Sequence, residues 1–151
     1  MREAAFSLIG PVADATVLDL FAGTGAMGLE ALSRGARRAV FVERDRDACR
    51  VISQNLERLR LTAGVVVRGD ALGVLREERA LGRTYDLVLV DTPYDDWPRY
   101  AEPLGELVPA VLAEDGVAVV ETSTSVEPEL PLDLVTTRRY GSARITVYRT
   151  P

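Results

Sequence analysis

The sequence predicts an α/β fold: a seven-stranded, mostly parallel sheet, helices on both faces, and a C-terminal antiparallel hairpin. Three observations carry this. Apolar, β-branched runs alternate with helical stretches from residue 16 to residue 122, the pattern of repeated β-α units. The alternation breaks near the end, where two strand-like runs flank Gly141 and Ser142, a hairpin signal. The 151 residues are 47% hydrophobic, enough for one domain, 1–151, with a sizeable core.

The elements follow in order. REAAFSLIG reads as an opening helix with Ala5, Phe6 and Ile9 on one side. TVLDLFA (16–22) is a strand of buried type. After a glycine-rich turn, AMGLEALSR (26–34) is a helix stopped by Gly35. RRAVFVE (37–43) is the second strand, and residues 45–60 form an amphipathic helix through Ala48, Ile52, Leu56 and Leu59. GVVVRGD (64–70) is the third strand, followed by the helix ALGVLREER. YDLVLVD (85–91) is the fourth strand. Residues 98–113 are helical, with Pro103 and Pro109 leaving the ends open. GVAVVET (116–122), LDLVTTRRY (132–140) and ARITVYR (143–149) complete the sheet.

Composition excludes several chemistries. There is no histidine, so a zinc site or a Ser-His-Asp triad is not expected. All 18 basic residues are arginine, which removes the lysine of Walker-type phosphate sites and of Schiff bases. The net charge of −5 does not advertise a nucleic-acid binder. Cys49 is the one cysteine and reads as a structural thiol on a helix. No apolar run approaches a membrane span, and no basic segment precedes an apolar core after Met1. A cytoplasmic location is expected.

Ligands of open parallel sheets bind beyond the carboxyl ends of the strands. The first strand delivers Asp19 and then Phe21, Ala22, Gly23, Thr24 and Gly25. The second ends in Glu43, the third in Asp70, the fourth in Asp91, Thr92, Pro93 and Tyr94, and the fifth in Glu121. GTGAMG (23–28) formally matches G-x-G-x-x-G. Glu43 suits a pair of ribose hydroxyls. A nicotinamide dinucleotide and S-adenosylmethionine both fit this frame. Asp19 separates them: a pyrophosphate gains nothing from a nearby acid, whereas a sulfonium and an ammonium do. Asp70 is placed to accept from an adenine amino group.

VLDLFAGTG (17–25) is similar to the first motif of class I S-adenosylmethionine-dependent methyltransferases, which have a Rossmann-like fold. VLDLFAGTGAMGLEALSRGA with FVERD, the opening REAAFSLI and the ending RRYGSARITVYR resemble more narrowly the RsmD family of bacterial 16S rRNA guanine-N2 methyltransferases. The resemblance implies methyl transfer from S-adenosylmethionine, leaving S-adenosylhomocysteine, to a guanine N2 amine of 16S rRNA in the small ribosomal subunit. It implies no metal and no membrane, and a monomer is expected. It implies cofactor contacts from Asp19, Phe21, Ala22, Gly23, Thr24, Gly25, Glu43, Arg44, Asp70, Ala71, Leu72 and Asp91.

Families that methylate exocyclic base amines carry Asp/Asn-Pro-Pro-Tyr/Phe after the fourth strand. DTPY matches at Asp91, Pro93 and Tyr94 and departs at Thr92. An exocyclic amine is a poor nucleophile because its lone pair is delocalised into the ring. Asp91 and the carbonyl of residue 92 would accept its hydrogens and aim the lone pair. Pro93 would stiffen the turn, and Tyr94 would stack on a flipped-out base. Trp97 and Tyr100 are further candidates for the base site, and Arg138, Arg139, Arg144 and Arg149 for phosphate contacts. The alternatives are a cofactor- or RNA-binding domain with weak or no turnover, an adenine-N6 nucleic-acid methyltransferase, and a nicotinamide-dependent oxidoreductase. In the family resembled, a basic hairpin extension precedes the stretch matching REAAFSLI, so this chain is expected to lack it.

Overall fold

The computed structural model describes residues 2–93 and 96–151. Tyr94, the stacking candidate, lies outside the described residues. The strands are β1 (Thr16–Leu20), β2 (Arg38–Glu43), β3 (Gly64–Arg68), β4 (Tyr85–Asp91), β5 (Leu112–Ser123), β6 (Asp133–Tyr140) and β7 (Ala143–Arg149). The helices are α1 (Arg2–Ile9), α2 (Ala26–Ser33), α3 (Arg46–Arg58), α4 (Ala71–Ala80) and α5 (Trp97–Val111).

One sheet runs in the order β3-β2-β1-β4-β5-β7-β6. The first five strands in chain order pair in parallel, so their carboxyl ends share one edge. β7 is antiparallel to both neighbours and lies between β5 and β6. Alternation of side chains across the pleat divides the core. Val17, Phe41, Leu87, Leu89, Val119 and Ile145 pack under α1, α2 and α3. Leu18, Leu20, Val42, Val88, Val90 and Val120 pack under α4 and α5.

Local chemistry explains the boundaries. Asp45 caps α3 by accepting from the Ala48 N–H at 2.8 Å, and Asp70 caps α4 by accepting from the Gly73 N–H at 3.1 Å. α3 ends at Arg58, so Leu59 falls past the last turn and is exposed rather than on the buried stripe. β1 stops at Leu20, two residues before its expected end, because Phe21 turns to a positive φ of 56°. β5 starts at Leu112, directly after α5 and earlier than expected; its pairing with β4 is irregular between Tyr85 and Leu87. α5 keeps Pro103 and Pro109 inside it. Each interior proline costs about 3 kcal/mol; the buried stripe of Trp97, Tyr100, Leu104, Leu107, Val108 and Val111 offsets that. No described helix is long and apolar enough to cross a membrane.

The hairpin arginines divide. Arg138, Arg139 and Arg149 are exposed, but Arg144 is buried. Its guanidinium donates to the Thr124 carbonyl at 2.9 Å and to Thr137 Oγ1 at 3.2 Å, and pairs with Glu127 at 3.6 Å. Arg144 therefore ties the hairpin to the segment after β5 and does not present a free cation to a phosphate. Arg144→Ala should lower the free energy of unfolding by about 1–3 kcal/mol, the cost of stranding a buried acceptor. Arg138→Ala should change it by less than about 0.5 kcal/mol. Urea titration of the two variants measures both.

Candidate active site

The loop after β1 is shaped by backbone that few residues tolerate. Phe21, Gly23 and Gly25 all have positive φ, at 56°, 59° and 84°. For Phe21 this is strained backbone, and its ring lies edge-on to Tyr100 with centroids 4.9 Å apart. At Gly28 the need is space: a Cβ there would stand 2.4 Å from the Phe41 ring. The missing side chain lets α2 settle onto β1 and β2. The Gly28 N–H then donates to Asp19 Oδ2 at 3.1 Å.

Asp19 is thereby buried beneath α2, not exposed in the recess above the strand ends. Loss of water on burial pushes its carboxyl up to about 8, against the lowering effect of the Gly28 N–H; Asp91 and Glu43 add to the rise. Asp19, expected to contact a cofactor, makes its described hydrogen bond to the helix behind the loop.

Glu43, at the end of β2, holds two loops at once. Oε1 accepts from the Gly23 N–H and Oε2 from the Asp45 N–H, each at 2.8 Å. Each carboxylate oxygen has about two acceptor positions, so capacity remains for hydroxyl groups in front of it. In front lies a cavity of about 700 Å³, within the usual range for small-molecule sites. Phe21, Glu43, Arg44, Asp70, Ala71, Asp91, Thr92 and Pro93 all line it. Ala22, Gly23, Gly25 and Leu72 do not, and Thr24 faces a separate recess beside Arg2 and Glu30. Asp45, Asp96, Arg99, Tyr100 and Glu121 line it as well. Among the described residues, the four Asp and two Glu in this lining outnumber Arg44 and Arg99, so the cavity favours a cationic ligand.

A second cavity of about 180 Å³ shares one wall with the first: Asp91, Thr92, Pro93 and Glu121. Trp97, Thr122, Ser123, Val126, Ser142 and Ala143 complete it. Trp97 thus lies at the smaller cavity and Tyr100 at the larger. Asp91 and Glu121 are register partners on β4 and β5. The crowded mouth strips water from the Asp91 carboxyl, and the charge and hydrogen bond of Glu121 add to this, pushing it up to about 7. Asp91 is still reached by solvent. Glu121 was visible in the sequence only as one more strand-end acid; the β4–β5 register makes it a partner of Asp91. Among the described residues, no cluster of three or more His, Cys, Asp or Glu is arranged to hold a metal ion.

The chain has known relatives. The family model described as "Conserved hypothetical protein 95" matches residues 1–149. The "Putative rRNA methyltransferase YlbH" of Bacillus subtilis is 37% identical over 99% of this chain and 84% of the relative. The "Ribosomal RNA small subunit methyltransferase D" of Escherichia coli is 40% identical over 62% of this chain, a match that spans 46% of that protein. A solved structure, "Putative methyltransferase yhhF from Escherichia coli", superposes with a TM-score of 0.88 at 31% identity, over 99% of this chain and 84% of the other. The sheet order and the antiparallel β6–β7 pair are those of the class I methyltransferase fold.

Two outcomes test this geometry. Glu43→Ala removes acceptors from the Gly23 and Asp45 N–H groups and should cost about 1.5–3 kcal/mol of stability, measured by urea titration. Asp19 holds a proton in the folded state up to about pH 8, while its unperturbed value is 3.8. Folded protein therefore binds more protons than unfolded protein between these values, and stability falls as pH rises through the window. Asp19→Asn should flatten that decline, seen as a smaller drop in urea midpoint from pH 5 to pH 8.

Proposed function

We propose a function from one premise, that the chain belongs to the conserved hypothetical protein 95 family: it is a methyltransferase that uses S-adenosylmethionine to modify ribosomal RNA. The finer reading is transfer to the N2 amine of a guanine in 16S rRNA of the small subunit, by a single-domain monomer in the cytoplasm. One observation carries the proposal. Asp91 stands in the wall common to a large acidic cavity and a small one, so a group held in one meets a group held in the other at that residue.

The residues present fit the cofactor. The remaining acceptor positions of Glu43 suit ribose hydroxyls, and the Asp70 carboxylate oxygen that does not cap α4 suits an adenine amino group. The surplus of acids suits a sulfonium and an ammonium. Phe21 and Ala71 offer apolar surface beside them. When bound, S-adenosylmethionine supplies an activated methyl group.

The chain's own part is to prepare the nucleophile. Asp91 accepts one hydrogen of an exocyclic amine, and the Thr92 carbonyl accepts the other. The nitrogen is thereby held still with its lone pair out of the ring system. Thr92 in place of proline keeps that carbonyl. The small cavity admits the edge of a base that has been turned out of its stack, with Trp97 as part of its wall. The relatives' names support the RNA substrate, and the resemblance of the VLDLFAGTGAMGLEALSRGA stretch to guanine-N2 methyltransferases supports the guanine amine.

Transfer of labelled methyl from S-adenosylmethionine to small ribosomal subunits lacking the mark, followed by nucleoside analysis, tests the proposal. Labelled N2-methylguanosine is expected; labelled N6-methyladenosine would redirect it, and no label would remove it. Binding shows separately as thermal stabilisation. S-adenosylhomocysteine at a hundredfold excess over Kd should add about 2.7 kcal/mol, whereas NADH should add nothing. Asp91→Ala should keep that stabilisation and lose about 10²–10³-fold in rate.

A further inference from the structure

Glu121 has no part in the steps above, yet among the described acids only it and Asp91 border both cavities. The two are matched in register on adjacent parallel strands, so their side chains leave the sheet on the same face. Two ionised carboxylates in that relation repel, and a close like pair holds one proton between them.

The chemistry of an amine acceptor makes a second carboxyl useful. This part of the argument rests on the methyl-transfer reading. When an amine nitrogen takes a methyl group, its lone pair becomes the new N–C bond, and the carbon–sulfur electron pair stays with sulfur. The sulfonium becomes a neutral thioether, and the nitrogen is left positive with one proton too many. That proton must go to a base at the same wall, and Asp91 is already engaged with the amine hydrogens.

We propose that Asp91 and Glu121 act as one proton-sharing pair: Asp91 holds the amine and receives its proton, and Glu121 is the positioning residue that sets when Asp91 is free to do so. In the inactive form the pair holds a proton, and a protonated Asp91 donates to the amine where it should accept. In the active form the pair is ionised, and its first protonation is the uptake of the product's proton. Glu121 is half-buried and borders the open cavity, so the proton has a path to water.

Other charges face Asp91. Asp19 on β1, beneath α2, and Glu43 on β2 are acidic neighbours. Across the cavity stand Asp45, Asp70 and Asp96, with Arg44 and Arg99 opposing them. None of these is matched in register with Asp91 as Glu121 is. Loss of water and the neighbouring Glu121 push the Asp91 carboxyl up to about 7, so turnover should rise with pH through that value and fall below it.

The test has two arms. The first needs no turnover: carboxyl ¹³C signals of ligand-free protein are followed from pH 4 to pH 9, with Asp91→Asn as the assignment control. The Glu121 carbon should sense the Asp91 titration, and Glu121→Gln should move the Asp91 midpoint down by about one pH unit. If Asp91 titrates identically with and without Glu121, the pairing is wrong, and the wild-type spectrum alone can show this should the variant fail to fold. The second arm is the pH–rate profile of methyl transfer to small ribosomal subunits. In Glu121→Gln the acid limb should move down by the same amount, while S-adenosylhomocysteine binding stays within a few fold. A shifted NMR midpoint with an unmoved acid limb would overturn the role in the reaction. Absence of transfer by wild-type protein that binds S-adenosylhomocysteine would overturn the methyl-transfer reading and the proton-uptake role together, and the NMR arm would still report whether the carboxyls pair.

Discussion

Parallel alignment of the first five strands is the constraint on which the rest of the molecule depends. Because β1 to β5 all run one way, their carboxyl ends arrive at one edge. Acids that are far apart in the chain are pressed together there. Repulsion and lost hydration follow, and they appear in the raised carboxyls of Asp19 and Asp91. The apolar strand interiors under two helical layers supply the stabilisation that tolerates this crowding.

The crowded acids are sorted by their hydrogen-bond partners. Asp45 and Asp70 cap helices, and Glu43 joins two loops through backbone N–H groups. Asp19 is covered and supports α2. Among the described residues, Asp91 and Glu121 have each other instead of a backbone donor. Acids that fasten loops build a cavity that exists before any ligand arrives, which lowers the entropy cost of binding. The acids that fasten nothing are the ones open to chemistry.

This division sets what the sequence could reveal. Strand and helix positions were legible because period-2 and period-3.6 patterns are local; β4 and β7 have the expected bounds. Ends were missed where one residue's backbone decides, as at Phe21, or where a strand follows a helix with no loop, as at Leu112. Strand-end acids were legible as a group, but their partners were not. Neither the burial of Asp19 nor the match of Asp91 with Glu121 has any trace in local sequence; both depend on which strands lie side by side. Arg144 looked like its exposed neighbours for the same reason, since Thr124 and Glu127 come from another part of the chain.

The position of β7 bears on how the molecule is made. It is the seventh strand in chain order yet sits sixth across the sheet, between β5 and β6. Until it emerges from the ribosome, β5 has an open edge, and β6 has no partner in the sheet. A nascent chain therefore carries two unsatisfied strands from the time β5 and β6 emerge until β7 follows, exposed to pairing with other chains. β6 is largely solvent-facing, with Leu134 and Val135 exposed, so it contributes little burial of its own to hold it in place meanwhile. Closure of the sheet is consequently a late, non-local event. The longer the open-edged chain persists, the more of it is open to mispairing before the native sheet forms.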